Sequence, residues 1–191
     1  MNIIETLKLT DADKIARRYF IVNSFDGILT SLGIIVGIYA GGLAEPKVII
    51  VAVIGAAIAF AVSGISAGYI SEEAEHKSSM KRLERAMLKK LSKTKMGEAT
   101  RKSPLFVALI NGLSPALACV VIIIPAFLAV WNIIPETYLL HSMLAISFIM
   151  LIGLGVILGK RAKEKVWKYA LKALLIGIIA TVLTSLIALF S

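Results

Sequence analysis

The sequence predicts an all-α integral membrane protein with five transmembrane helices. Of its 191 residues, 58% are hydrophobic and 17% are charged, whereas soluble domains average about 45–50% apolar and about 25% charged residues. Five apolar windows each reach about 20 residues, the length that a helix needs to cross roughly 30 Å of hydrocarbon. These windows fill most of the chain, so no separate soluble catalytic domain is expected.

Short polar connections and one longer polar insert separate the five predicted spans. Residues 1–18 are expected to form a cytosolic juxtamembrane segment, and residues 19–191 a single membrane domain with a cytosolic helical insert at about 72–103. No helix breaker follows the second apolar window, so the second span should continue directly into this insert. The spans cover about residues 19–41, 47–71, 104–130, 138–159 and 169–190.

Basic residues lie in alternate polar segments, which predicts the orientation of the chain. Four Lys or Arg precede the first span, ten lie from Lys77 to Lys102 and five from Lys160 to Lys168, while the other connections carry only Lys47. By the positive-inside rule, the N-terminus and the insert are cytosolic and the C-terminus lies outside. The net charge of +9 is explained by the basic residues that orient the chain in the membrane and contact anionic lipid headgroups. No nucleic-acid partner is therefore expected.

Asp26 is an acidic residue inside the first span. An ionisable group at this depth is costly unless it faces water, a cation or a partner, so it marks a functional path by default. No Lys or Arg lies deep in the five spans as a counter-charge. The alternative is a structural role, in a buried pair or at a broken helix. Polar and small residues continue one stripe through Asp26 at spacings of three and four: Asn23, Asp26, Thr30, Gly33, Gly37 and Gly41.

This stripe predicts a tight helix contact with a polar mouth. Asn23, Asp26 and Thr30 offer oxygen ligands, and the glycines permit close approach of another helix. A second stripe of small residues, which includes Ser63, predicts a packing face on the second span. Its members are Ala52, Ala56, Ala59, Ser63 and Ser66, with Gly64 and Gly68 on an adjacent face.

The third span contains a proline one turn after an asparagine. Because Pro115 has no amide hydrogen, it leaves the carbonyl of Asn111 without its helical donor. This carbonyl and the Asn111 side chain are a candidate cation or water site. The alternative is a kink that only improves packing, with Ser114 bonding to its own helix.

The cytosolic insert carries a candidate metal-binding face. Glu73, His76, Met80 and Glu84 recur at spacings of three, four and four along the predicted helix. Carboxylate, imidazole and thioether ligands together suit a borderline divalent ion such as Fe(II) or Mn(II) better than Ca(II) or Mg(II). The alternative is a solvated helix stabilised by ion pairs, such as Glu73 with Lys77 and Glu84 with Lys81.

Enzymatic activity is not expected. The sequence contains no HExxH motif, no phosphate-binding loop and no pattern of a serine hydrolase. The one cysteine, Cys119, lies in the third span and offers neither a disulfide nor a cysteine metal cluster within one chain.

Several short motifs, in their order and spacing, resemble the vacuolar iron transporter family over nearly the whole chain. They are Phe25-Asp26-Gly27 in the first span, Ser66 to Ser71 at the end of the second, and Leu109 to Pro115 with Ile124-Pro125 in the third. The resemblance implies a homodimer, without a tightly bound cofactor, that moves Fe(II) and often Mn(II) out of the cytosol in exchange for protons. It also implies that Asp26 lines the path at the dimer interface.

The chain departs from the family pattern at two places. The family has a Glu and a Met in its second helix, where this chain has Ala56 and Gly64. The insert is also shorter than the family's metal-binding domain, with fewer candidate glutamate ligands. They are Glu72, Glu73, Glu75, Glu84 and Glu98.

The preferred hypothesis is an antiporter in which two Asp26 carboxylates lie near a two-fold axis. Two such carboxylates repel each other when ionised and so hold a shared proton or a divalent cation. Asn23, Thr30 and Asn111 would supply neutral oxygen ligands. Rival hypotheses are a proton or monovalent cation transporter of the same fold and a non-transporting membrane scaffold or sensor. A prokaryotic plasma membrane is the expected location.

Overall fold

The computed structural model describes residues 12–91 and 94–188, and within these ranges it is helical with no β-strand. Five of its helical segments are long and apolar enough to cross a membrane, which confirms a multi-pass all-α membrane protein. The helices are α1 (Ala12–Ala40), α2 (Pro46–Met87), α3 (Lys95–Ile122), α4 (Ile124–Val130), α5 (Leu139–Ala162) and α6 (Val166–Ala188), with a 3-10 turn at Glu136–Tyr138.

The chain divides into two compact units. The first comprises Met1–Asn23 and Ala59–Ser114, and thus takes in the beginning of α1, the C-terminal part of α2 and the N-terminal part of α3. The second comprises Ser24–Ile58 and Pro115–Ser191, and takes in the remainder of these three helices with α4, α5 and α6.

Helix α2 is continuous past Ser71 to Met87, as the lack of a helix breaker predicts. Its 42 residues correspond to a length of roughly 63 Å, about twice the thickness of the hydrocarbon core. Pro46 begins the helix, where its missing amide hydrogen has no helical acceptor to bond. A single helix therefore carries both an apolar span and a polar extension.

Four helices are followed by a residue with left-handed backbone conformation. They are Gly42 after α1 with φ of 74°, Leu88 after α2 with φ of 49°, Asn132 after α4 with φ of 57° and Lys163 after α5 with φ of 53°. After each, an amide donates back to the carbonyl five residues earlier, as in Leu43 to Ile38 at 3.1 Å. This pattern is the Schellman motif, which satisfies carbonyls that the helix end leaves open.

The predicted third span is two helices. Helix α3 begins at Lys95, earlier than expected, because Thr94 caps it by accepting a hydrogen bond from the amide of Gly97 at 3.3 Å. It continues through Pro115 to Ile122, and α4 begins at Ile124. The break follows from Pro125, which has no amide hydrogen for the carbonyl one turn earlier.

In the second unit, glycines bring helices into close contact. Added Cβ atoms on Gly155 and Gly159 of α5 would lie 2.7 Å from the Cα atoms of Ala170 and Val166 of α6. Only a residue without a side chain permits backbones to approach so closely. The same holds for Gly27 of α1, where an added Cβ would lie 2.7 Å from the Cα of Pro115 in α3.

Candidate functional site

Asp26 is exposed on the surface of the single chain, within the apolar part of α1. The core-facing side of this helix is formed by Ile28, Leu32 and Ile35, which are fully buried and lie roughly opposite Asp26. Among the described residues, none forms a hydrogen bond or ion pair with the Asp26 carboxylate. The carboxylate therefore points away from its own chain without a counter-charge from the described part of it.

Asn23 and Asn111, both predicted path residues, lie together in the first unit. The Asn23 amide donates to the side-chain oxygen of Asn111 at 2.6 Å and to its backbone carbonyl at 3.2 Å. Asn111 in turn donates to the carbonyl of Gly64 at 2.8 Å. Two asparagines thereby connect α1, α2 and α3.

The carbonyl freed by Pro115 is not an open cation site, because Asn23 supplies the donor that the proline lacks. Ser114 donates to the carbonyl of Ile110 in its own helix, as the packing alternative predicts. Both oxygens of Asn111 thus accept hydrogen bonds from Asn23. These bonds place Asn111 to orient Asn23. They use the amide nitrogen of Asn23 and leave its side-chain oxygen unused.

Within the single chain, the glycine end of the stripe makes no tight helix contact, and its predicted contact with a second copy stays a prediction. Added Cβ atoms on Gly33 and Gly37 would lie 3.8 and 3.9 Å from Thr184, an ordinary van der Waals distance, and Gly41 meets only its own helix. The close contact of α1 in the described chain lies instead at Gly27. Thr30 lies half-buried one turn after Asp26.

Within the single chain, the small-residue stripe of α2 is largely exposed, and its predicted role in packing stays a prediction. Ser63 is exposed, as are Ala59 and Ser66. The close contact is on the adjacent face, where an added Cβ on Gly64 would lie 2.6 Å from the Cα of Gly112, and one on Gly68 would lie 3.2 Å from the Cα of Ala108. Glycines permit a closer approach than alanine or serine, which explains why the adjacent face is used.

Glu72 and His76 belong to a buried polar network in the first unit. The Tyr19 hydroxyl donates to Oε1 of Glu72 at 3.1 Å, and Oε2 of Glu72 lies 3.8 Å from Nε2 of His76. The hydroxyl of Ser103, in α3, lies 3.2 Å from the same imidazole nitrogen. Glu72 is only 7% exposed. Through these contacts the network connects α1, α2 and α3 at the end of the apolar part of α2.

Glu73, Met80 and Glu84 face a different side of α2 from that network. Glu73 accepts a hydrogen bond from Lys77 at 2.8 Å, as the ion-pair alternative predicts. Glu84 accepts the amide of Leu91 at 2.7 Å rather than pairing with Lys81. The candidate metal-binding set is therefore divided, because His76 contacts Glu72 and Ser103 while Glu73 and Glu84 are bonded to other groups.

No group of three His, Cys, Asp or Glu side chains in the described residues is close enough to hold a metal ion. In the polar segment that joins the second and third spans, two ion pairs shift the pKa of one of their members. The hydrogen bond from Lys77 to Glu73 raises the pKa of the lysine. The bond from Lys102 lowers the pKa of Glu98. Both pairs favour the charged forms.

Sequence reasoning did not identify Tyr19, Ser103 or the close contact at Gly27. For the α2 contact, the spacing of Gly64 and Gly68 by one helical turn was the available signal. Tyr19 and Ser103 gave no comparable signal, because a single hydroxyl near a span end is common and its partner is distant in sequence.

No family model matches the chain. It is 31% identical over 152 residues to the uncharacterized protein MJ0645 of the archaeon Methanocaldococcus jannaschii, an alignment that covers 78% of this chain and 76% of that protein.

Proposed function

The chain belongs to the same family as the Methanocaldococcus jannaschii protein MJ0645, and from its own residues we propose that it is a membrane transporter of Fe(II) or Mn(II). In this proposal it moves the metal out of the cytosol in exchange for protons and catalyses no chemical reaction. The observation that carries the proposal is the exposed Asp26 carboxylate in the apolar part of α1.

An exposed carboxylate cannot face lipid at low cost, so a partner or a water-filled cavity must cover it. A second copy of the chain provides such a cover. A two-fold axis near α1 brings two Asp26 carboxylates together, where they hold either a shared proton or a divalent cation. Exchange of one for the other couples metal movement to proton movement.

The neutral ligands come from the same face of α1. The unused amide oxygen of Asn23 lies about one turn before Asp26, and the hydroxyl of Thr30 about one turn after it. Oxygen ligands of this kind accept Mn(II) and Fe(II), with the metal as cargo and not as a resident cofactor. Asn111 holds Asn23 in position through two hydrogen bonds.

The orientation follows from the charge distribution. With its basic segments in the cytosol, the chain has its C-terminus outside, and a prokaryotic plasma membrane is the proposed location.

The test is metal uptake by proteoliposomes that contain a metal-quenched dye and a pH dye. Fe(II), Mn(II) and Co(II) are compared for the wild-type protein, Asp26→Asn and the matched control Asp13→Asn. Asp13 lies on the same helix but pairs with Arg17 at 2.6 Å before the apolar segment begins. The mass of the purified protein in detergent establishes whether each variant is a dimer, and its thermal unfolding establishes whether it is folded.

We expect metal entry with proton counterflow for the wild type and Asp13→Asn, and flux at the level of protein-free vesicles for Asp26→Asn. Full metal flux in Asp26→Asn would contradict the proposed path. Flux of protons or sodium without metal would identify a proton or monovalent cation transporter. No flux from a folded dimer would favour the scaffold or sensor.

A further inference from the structure

A cleft in the first unit lies between the polar extension of α2 and the first turns of α3, and we name it the basic cleft. Its volume is about 580 Å³. This volume is within the range of about 300–1,000 Å³ that is usual for small-molecule sites. The side chains that determine its charge are Glu73, Lys77, Lys81, Glu84 and Arg101.

The charges in the basic cleft favour an anion over a metal cation. Its two carboxylates are already engaged, Glu73 by Lys77 and Glu84 by the amide of Leu91. Lys81 and Arg101 form no ion pair with other residues in the described ranges. The lining holds three cationic side chains against two carboxylates, so a positive charge remains in the cleft, and the Thr100 hydroxyl is a further donor.

The basic cleft continues into a groove that has an apolar wall. Tyr69 and Arg101 line both, and the groove adds Leu105 and the ion pair of Lys102 with Glu98. Leu105 is 53% exposed and Tyr69 is 37% exposed. Both residues lie where the apolar part of their helix meets its polar end. Apolar surface and unpaired cations are thus adjacent, as at the boundary between acyl chains and headgroups.

We propose that the basic cleft binds the headgroup of an anionic phospholipid. Arg101 and Lys81 contact the phosphate, Thr100 donates to one of its oxygens, and the first part of an acyl chain follows Leu105 and Tyr69. A guanidinium is well suited to this contact, because its fork of donors matches the geometry of phosphate oxygens. The apolar wall is the reason to choose a lipid over a soluble phosphate.

The test is native mass spectrometry of the purified full-length protein with phosphatidylglycerol and phosphatidylcholine at equal concentrations. The variant Lys81→Gln/Arg101→Gln removes the two unpaired cations. Its matched control, Lys160→Gln/Arg161→Gln, removes the same number of exposed cations from the end of α5. A parallel competition uses inorganic phosphate, which distinguishes a lipid from a free phosphate.

Phosphatidylglycerol should bind the wild type in preference to phosphatidylcholine, and the cleft variant should bind it about thirtyfold more weakly. The control should change by less than about threefold, which is less than the loss of one cationic contact. Equal losses in both variants, or no loss in the cleft variant, would overturn the proposal. So would displacement of the lipid by inorganic phosphate at equal affinity.

If the double variant does not fold, the single variants Lys81→Gln and Arg101→Gln serve, with about fivefold weaker binding expected for each. Thermal unfolding in detergent establishes which variants are folded. The proposal is independent of metal transport, because Asp26 is not part of the basic cleft and the lipid measurement requires no flux.

Discussion

Replacing Gly64 by alanine should force α2 and α3 apart. The added methyl carbon would lie 2.6 Å from the Cα and 3.0 Å from the amide nitrogen of Gly112, whereas carbon atoms in contact prefer about 3.5–4.0 Å. The obstructing atoms belong to the backbone, so no change of side-chain rotamer relieves the overlap. The two helices must therefore separate by roughly 1 Å at this point.

The cost of this separation follows from three contributions. Overpacking of this kind costs about 1–3 kcal/mol. The 2.8 Å hydrogen bond from Asn111 to the Gly64 carbonyl lengthens beyond the usual range, with a loss of about 1 kcal/mol. Alanine recovers about 1 kcal/mol through its higher helix propensity. The expected net loss in the free energy of unfolding is therefore about 1–3 kcal/mol.

The assay is unfolding by sodium dodecyl sulfate in mixed micelles, followed by far-ultraviolet circular dichroism. Gly55→Ala is the matched control on the same helix, because an added Cβ there meets no atom within 4 Å. It should leave stability unchanged or increase it by up to about 1 kcal/mol. If Gly64→Ala proves as stable as Gly55→Ala, the close contact between α2 and α3 is refuted.

Two further predictions use the same assay. Asn111→Ala should lower the free energy of unfolding by about 1–3 kcal/mol, because it removes two hydrogen bonds, one accepted from Asn23 and one donated to the Gly64 carbonyl. An unchanged midpoint would contradict this. Gly155→Ala should lower the free energy of unfolding by about 1–3 kcal/mol, because the added methyl group overlaps the Ala170 backbone. Its control, Gly153→Ala, should not lower it, since an added Cβ there meets no atom within 4 Å. Equal effects of the two substitutions would show that the two sites do not differ in packing.

The number of spans could be predicted because apolar length is a strong signal, but the helix ends could not. Helix α1 begins by Ala12, within the polar segment, because a charged residue can extend a helix as readily as an apolar one. Asp13 and Arg17 pair across one turn at 2.6 Å and stabilise this extension. Composition therefore predicts which part of a helix crosses the membrane, but it does not predict the residues at which the helix begins and ends.

The candidate site could be predicted only where one helix determines it. The position of Asp26 in α1, away from Ile28 and Leu32, follows from helical periodicity alone. That Asn23 fills the open carbonyl of Asn111 could not be predicted, since these residues are 88 positions apart. His76 was placed near the face of Glu73 by its spacing, but its contact with a distant side chain, Ser103, turns it to another side.

The contact of Gly64 and Gly68 with α3 limits the motions open to this part of the molecule. An added Cβ on Gly64 would lie 2.6 Å from the Cα of Gly112, so this point of α2 has no room for a side chain. A slide of one turn in one direction would bring Phe60 to the same place, where no room exists for a ring. Sliding in that direction is therefore blocked, whereas a slide of one turn the other way would bring Gly68, which has no side chain, to Gly112.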